Sequence, residues 1–419
     1  MTVRIFQNRN LFNWLVGIVL TIGALASFGC NDKLSVVGNN LISDTLQLTS
    51  VSSTDSVPFV IGTSSYINRI SLSGIGYVFI GKSGTTEAFS LSRLSVPDSA
   101  PELTIDNFVS AKMLITPSTP YYAYGDTIGN QLSFTVYKVV KVWTTIATPD
   151  TITPDFIDKT KTLATYSGII PLKDSSSVIS FDFDRDQVIE WFNLRKQYGN
   201  ANDTLNYGIA FIPNSNSNII RRFASGAVGS SDSTRFATIL ITYHRPNATD
   251  STIKLFSAYD GTYLTTTAPE DKYITIQGAS AINSNISFDV SSIPKGVAIH
   301  LAGLTLTMDP SKSFAGTAGT DPVVFATFVD STSNNLVRPY YGSRLKDGNG
   351  NYTNEYFFPT LNTALEGMIR RNGKGTITLQ VQNSYYQNRM DKLVFFGSDA
   401  VDSTKRPKLS IVYSSRPKF

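Results

Sequence analysis

The sequence predicts an all-β protein made of two tandem domains behind an export signal. Three observations predict it: short runs of β-branched and aromatic residues bounded by turn residues, an internal repeat, and an apolar N-terminal segment that ends at a single cysteine. Only 16% of the residues are charged, whereas Tyr and Phe together number 45. This composition is typical of extracellular β-structure and does not fit helical bundles or disordered chains.

The N-terminal segment reads as a lipoprotein signal peptide over residues 1–29. Arg4 and Arg9 precede the apolar residues 15–26, and the small residue Gly29 stands immediately before Cys30. This apolar run is shorter than the roughly 20 residues that a membrane-spanning helix needs. Cys30 is the only cysteine in the chain, so we expect it to be lipidated and to anchor the protein to the membrane.

The charge balance argues against a polyanionic partner. Lys and Arg number 36 against 32 Asp and Glu, and removal of the signal segment would take away Arg4 and Arg9. The exported protein would then be close to neutral, and we expect no nucleic-acid binding.

Strands are predicted wherever apolar β-forming runs lie between Gly, Pro, Asn and Asp clusters. The clearest are residues 77–80, 132–139, 208–212 and 237–243. Only residues 185–193 and 361–370 have apolar side chains three to four positions apart, so each half is predicted to contain one short helix.

An internal repeat divides the chain. Residues 89–97 and 111–116 in the first half parallel residues 286–294 and 302–307 in the second, and the terminal strands ending at Tyr243 and Tyr413 also correspond. We expect a tether over residues 30–50, a first domain over 51–245, a polar linker over 246–251 and a second domain over 252–415.

The order of these motifs resembles the DNRLRE (disaggregatase-related repeat) family. The resemblance rests on "SLSRLSVP", "SAKMLI", "TVYKV", "FDFDRDQVIEW", "YGIAFIP" and "RFATILITYH". It covers most of residues 50–245 and, more weakly, residues 252–415. It implies two tandem jelly-roll β-sandwich domains, similar to carbohydrate-binding modules of surface and secreted proteins.

Aromatic residues provide the candidate ligand-binding positions, since flat amphipathic rings can stack on sugars. The candidates lie in predicted loops or after strands: Tyr121, Tyr122, Trp143, Tyr340, Tyr341 and Tyr385. Adjacent residues of an extended strand point to opposite faces, so only one member of a Tyr pair can serve one flat site. Core packing is the simpler interpretation for Trp143 and for Trp191 on the first helix.

The sequence contains no recognisable set of catalytic residues. It has two histidines and six glutamates, and no glycine motif that cradles phosphate. Residues 182–186 and 347–351 could present oxygens to calcium, but helix capping and turn formation explain them more simply. We therefore expect a non-enzyme without catalytic residues, metal or cofactor.

Asp followed by Ser or Thr and a small or aliphatic residue occurs more often than composition predicts. This triplet resembles the acceptor motif for bacterial O-glycosylation, and its candidate acceptors include Thr45, Ser56, Ser99, Thr127, Thr151 and Thr204. The alternative is that Asp-Ser and Asp-Thr pairs form turns between strands. The sequence leaves both interpretations open.

The resulting functional expectation is a lipid-anchored outer-membrane protein, surface-exposed or periplasm-facing, that binds without catalysis. The favoured partner is a polysaccharide or cell-surface glycan. The first alternative is a structural or adhesive subunit that contacts other envelope proteins, and the second is a polysaccharide-degrading enzyme.

Overall fold

A computed structural model of the chain describes residues 47–53, 57–118, 120–172, 178–199, 205–225, 237–279, 281–330, 336–382 and 387–415. The predicted signal peptide and Cys30 lie outside these residues. Within the described ranges no helix is long and apolar enough to cross a membrane.

Almost all regular structure is β-strand. The first-half strands are β1 (Gln47–Ser52), β2 (Val60–Ile67), β3 (Leu72–Ser73), β4 (Tyr77–Ser83), β5 (Thr86–Ser95), β6 (Phe108–Ile115), β7 (Ala123–Gly125), β8 (Gln131–Val139), β9 (Ile157–Ile169), β10 (Ile179–Asp182), β11 (Ile209–Pro213), β12 (Ile219–Ala224) and β13 (Thr238–Tyr243). The second-half strands are β14 (Ser251–Thr265), β15 (Tyr273–Gln277), β16 (Ile282–Asp289), β17 (Ala298–Thr307), β18 (Val323–Asp330), β19 (Leu336–Lys346), β20 (Tyr352–Phe358), β21 (Lys374–Val381), β22 (Lys392–Phe396) and β23 (Lys408–Ser415). The all-β prediction is confirmed, including the four clearest strands.

The two predicted helices are present, as α1 (Arg185–Tyr198) and α2 (Asn362–Arg371). Asp184 caps α1, because its side chain accepts a hydrogen bond from the Gln187 N–H at 2.7 Å. Trp191 on α1 is buried and stacks on Phe183 with a ring-centroid distance of 5.8 Å. The prediction that Trp191 closes the core is therefore confirmed.

The first sandwich consists of two sheets that are continuous through one bent strand. Strands β10, β6, β13 and the first part of β14 form one sheet, and the second part of β14 continues with β5, β11, β8 and β9. A register shift between Ser257 and Tyr259 marks the bend. Met113 and Ile239 from one sheet pack with Phe211 from the other in a single apolar core.

The second sandwich repeats this arrangement. Strands β1, β23, β17 and β20 form one part, which continues through β19 into β18, β21, β16 and β2. Leu304 and Ile411 of the first part pack with Phe288 and Leu379 of the second part. Equivalent strands occupy equivalent places: β21 lies between β16 and β18 as β11 lies between β5 and β8. The repeat seen in the sequence is thus a repeat of topology.

The first strands of the two halves are exchanged. Strand β14 opens the second half of the chain, yet it pairs with β13, β5 and β3 of the first. Reciprocally, β1 and β2 open the first half, yet β1 pairs with β23 and β2 with β16. Each sandwich is therefore completed by a segment from the opposite half.

This exchange differs from the expected domain boundaries. Residues 246–250 of the expected linker, 246–251, lie in the turn that joins β13 to β14 as a hairpin, and Ser251 begins β14 opposite Tyr243. Strand β1 begins inside the expected tether. A short polar segment containing proline is as typical of a hairpin turn as of a linker, so composition could not distinguish the two.

A buried contact, which we call the waist, joins the two sandwiches. The Tyr122 hydroxyl donates to Asp391 Oδ1 at 3.0 Å and accepts from the Met390 N–H at 2.7 Å. Asp391 also forms an ion pair with Arg389, and both side chains are largely buried. Burial, followed by the nearby Asp391 carboxylate, raises the pKa of Tyr122 well above its ordinary value, so this hydroxyl stays protonated.

Candidate functional site

Three of the predicted stacking rings are buried and cannot contact a ligand in this structure. Tyr122 is 1% exposed at the waist, Trp143 is 4% exposed, and Tyr340 is 6% exposed in the core of the second sandwich. Their prediction as stacking rings is therefore corrected. Tyr121 is half-buried beneath the Arg221 guanidinium. Tyr385 lies outside the described residues.

Trp143 is buried because the segment between β8 and β9, residues 140–156, covers the outer face of the first sandwich. The Trp143 indole N–H donates to the Tyr207 carbonyl at 2.9 Å, and its ring meets Tyr259 edge-on at a centroid distance of 4.7 Å. Beneath it lie Leu91, Ala210 and Tyr263, all buried. An apolar sheet face here attracts an apolar cover.

Tyr340 and Tyr341 point to opposite faces of β19, as their adjacency predicts. The Tyr340 hydroxyl hydrogen-bonds with Thr363 Oγ1 on α2 at 3.0 Å, on the core side. Tyr341 faces outward and is 53% exposed. It is the predicted stacking ring that best fits a solvent-facing site.

Tyr341 belongs to a broad surface that we call the open face, the outer side of strands β19, β18, β21, β16 and β2. Side-chain alternation and the pairing register place three rows of five residues on it. From β19 to β2 these rows are Tyr341, Phe325, Gln380, Asn283 and Tyr66; then Pro339, Thr327, Thr378, Asn285 and Ser64; then Val337, Val329, Thr376, Ser287 and Gly62.

The open face is accessible over most of its extent. Its exposed residues lie in all three rows, and only Phe325 and Asn283 are buried. The opposite sides of the same strands carry Ile286, Ile377 and Val324 into the core. This alternation fixes the polar rows on the outside, because a one-residue slip in register would bury them.

Two exposed tyrosines stand at opposite ends of the first row. Tyr341 packs against Phe325 with a ring-centroid distance of 5.4 Å and a tilt of 59°. Tyr66, at the far end, is 40% exposed. Four interstrand steps of about 4.8 Å separate their strands, so the two rings are roughly 19 Å apart.

Hydrogen bonds between neighbouring strands order the polar centre of the open face. The Thr378 hydroxyl donates to Asn285 Oδ1 at 2.9 Å. The Ser287 and Thr376 hydroxyls lie 3.2 Å apart in the next row. The first contact directs the Asn285 amide group and leaves its N–H donors for other partners. The face can therefore present fixed hydrogen-bonding groups between two aromatic ends.

Sequence reasoning missed most of this site. It selected Tyr341 but not Tyr66, Asn285, Thr378 or Gln380. A signal was present: "NISFD" and "TITLQV" alternate polar and apolar residues, which is typical of strands with one solvated face. The pairing of β2 with β16 could not be inferred from the sequence, because these strands are more than 200 residues apart and belong to opposite halves.

The candidate glycosylation residues occupy exposed turns where the structure describes them. Ser99, Thr127 and Thr151 are exposed, whereas Thr45, Ser56 and Thr204 lie outside the described residues. One of the preceding aspartates also stabilises a turn: Asp126 Oδ1 accepts hydrogen bonds from the backbone N–H groups of Ile128 and Gly129. Both interpretations of the motif stay open.

The two possible calcium loops are explained by local hydrogen bonds. Asp184 caps α1, and Asp347 Oδ1 accepts from the backbone N–H groups of Asn349 and Asn351 at 2.9 Å each. Across the described ranges no group of three or more His, Cys, Asp or Glu side chains could hold a metal ion.

The architecture defines an all-β protein of two sandwiches joined by exchanged strands, with a solvated face on the second. Comparisons with known proteins do not assign the chain to a family. No family model matches the chain, and no curated protein matches it. A structural match to the infectious bursal disease virus VP2 subviral particle has 9% sequence identity and a TM-score of 0.10, over 90% of this chain and 78% of that chain. At that TM-score the likeness carries no argument.

Proposed function

We propose that this protein is a non-catalytic binding protein that holds a polysaccharide on the open face of its second sandwich. The observation that carries the proposal is that two exposed rings, Tyr341 and Tyr66, stand at the ends of a face whose accessible side chains include the amides of Gln380 and Asn285. Sugars present apolar ring faces and hydroxyl edges. A surface with aromatic rings at its ends and amides between them matches both.

The first sandwich does not offer the same surface. Residues 140–156 cover its corresponding outer face, and Trp143 is buried there. The proposal therefore includes one polysaccharide site per chain, located in the second sandwich. The resemblance to the DNRLRE family, with its similarity to carbohydrate-binding modules, supports the same ligand class and is itself part of the proposal.

Affinity electrophoresis of the full chain in gels containing different soluble polysaccharides tests this function. We expect at least one polysaccharide to retard the protein, and Tyr341→Ala and Tyr66→Ala each to weaken binding by about tenfold, which corresponds to about 1.4 kcal/mol. Tyr198→Ala is the matched control, since Tyr198 is a 45% exposed tyrosine at the end of α1, in the other sandwich. Absence of retardation, or retardation that neither open-face variant changes, contradicts the proposal.

We also propose that the protein is exported and anchored by lipid on Cys30, in the outer membrane. The apolar segment at residues 15–26 and the single cysteine support this location. Protease treatment of intact cells, followed by mass spectrometry, distinguishes a surface-exposed body from a periplasmic one. A Cys30→Ala variant that stays in the membrane fraction would contradict lipid anchoring.

A further inference from the structure

The composition of the open face restricts the kind of polysaccharide that it could hold. None of its fifteen residues is charged, although charged residues are 16% of the chain. At its margin the next row pairs Lys374 with Asp289, whose charged atoms are 3.7 Å apart. These two charges offset each other.

Recognition of a carboxylate or sulfate normally uses Arg or Lys, often with two parallel hydrogen bonds. The open face contains neither. Moving an acidic sugar from water onto neutral amides and hydroxyls would remove part of its hydration without supplying a counter-charge. An uncharged sugar has no such cost and can exchange its water hydrogen bonds for those of Asn285, Thr378 and Gln380.

The same rows indicate how a bound ligand would run relative to the strands. The two exposed rings lie at opposite ends of a row that runs across the strands, roughly 19 Å apart at about 4.8 Å per strand. A ligand that contacts both rings must be extended and must cross β18, β21 and β16. A mono- or disaccharide is too short to reach from Tyr341 to Tyr66.

The corresponding outer face of the first sandwich has a different composition. At that position Leu91, Ala210 and Tyr263 are apolar or aromatic and are sealed by Trp143. In the second sandwich the residues on β16 and β21 are amides and hydroxyls, and the pairing of Thr378 with Asn285 holds them in place. The polar composition of the open face is therefore not a requirement of the fold.

From these observations we infer that the ligand of the open face is an uncharged, extended polysaccharide that lies across the strands from Tyr341 to Tyr66. This inference rests on the proposed function and specifies its ligand. Binding should depend little on salt, because no ion pair forms. The two tyrosines should act on the same polymer molecule but not on the same short oligosaccharide.

Titration calorimetry of the full chain with a neutral β-glucan, a neutral xylan and polygalacturonate, at low and high ionic strength, tests the inference. We expect binding to a neutral polymer with an affinity that changes less than about twofold with salt, and at least about tenfold weaker binding of polygalacturonate. Tyr66→Ala and Tyr341→Ala should both weaken binding of the polymer, whereas only one of them should weaken binding of the corresponding disaccharide. Tyr198→Ala should change neither.

The outcomes separate the inference from the proposed function. Tyrosine-dependent binding of polygalacturonate that weakens with salt would overturn the uncharged ligand and leave polysaccharide binding standing. Polymer binding that depends on one tyrosine alone would overturn the crossing direction. If the protein binds none of the three polymers and is not retarded by any polysaccharide in affinity electrophoresis, both the inference and the proposed function are overturned.

Discussion

Asp260 shows how a single side chain can oppose the stability of the fold. It lies on β14, is 5% exposed, and accepts a hydrogen bond from the Ser225 hydroxyl. Burial raises the pKa of this carboxyl from 3.8 to about 6, and the Ser225 hydrogen bond lowers it only in part. Ionisation of Asp260 therefore costs more free energy in the folded protein than in the unfolded chain, and it destabilises the fold.

The sign of the pH effect follows from this raised pKa. The protonated form is compatible with burial, so its contribution to stability is fully present below about pH 4 and is lost as the pH rises through about 6. Asp260→Asn cannot ionise. We expect this variant to be more stable than the wild type at pH 8, by up to about 3 kcal/mol at 1.36 kcal/mol per pKa unit, and to have no advantage at pH 4.

Urea unfolding of both proteins at the two pH values measures the difference. Asp98→Asn is a suitable control, because Asp98 is an exposed carboxylate that pairs with Arg195 on the surface. A wild-type stability that rises between pH 5 and pH 8, relative to Asp260→Asn, would contradict the assignment.

At the scale of elements, the same sheet position has different surroundings in the two sandwiches. Residues 140–156 seal an apolar face in the first, whereas the equivalent strands of the second carry a polar and accessible face. Sealing depends on Trp143, which packs on Tyr259 and donates to the Tyr207 carbonyl. The covering segment is thus a structural element of the first sandwich.

Trp143→Ala should destabilise the protein by about 3–5 kcal/mol, because it removes a large buried ring from a face that cannot close the space. Polysaccharide binding by the folded variant should stay within about twofold of the wild type, since Trp143 is in the other sandwich. Thermal unfolding and affinity electrophoresis of the same preparation measure the two effects. Tenfold weaker binding together with unchanged stability would show that Trp143 contacts the ligand instead.

At the scale of the whole molecule, strand exchange makes the two sandwiches interdependent. Strands β1 and β2 close the second sandwich, and β14 closes the first. The waist adds buried contacts, including the hydrogen bond between Tyr122 and Asp391. Neither half of the chain contains all the strands of one sandwich, so the two should unfold together.

Deletion of residues 1–67 should destroy the cooperative folding of the second sandwich, since it removes β1, β2 and the buried side chains of Phe59 and Val60. Backbone groups of β16 and β23 would lose their partners, and their amide hydrogens should exchange faster. Deletion of residues 1–46 alone is the control and should leave exchange in both strands unchanged. Unaltered protection of β16 and β23 in the longer deletion would contradict the exchange.

The sequence by itself determined the all-β class, both helices and the internal repeat, because these depend on local alternation, helical spacing and turn residues. It also named Tyr340 and Tyr341 together as candidates, of which only one could serve a flat site if the backbone is extended. Only the tertiary structure decided that Tyr122 and Tyr340 are buried and that Tyr341 is the exposed member of its pair, because burial depends on which elements pack against a face. It also decided that Tyr66 shares a row with Tyr341: that row depends on β2 pairing with β16, more than 200 residues away, and no local pattern encodes such a pairing.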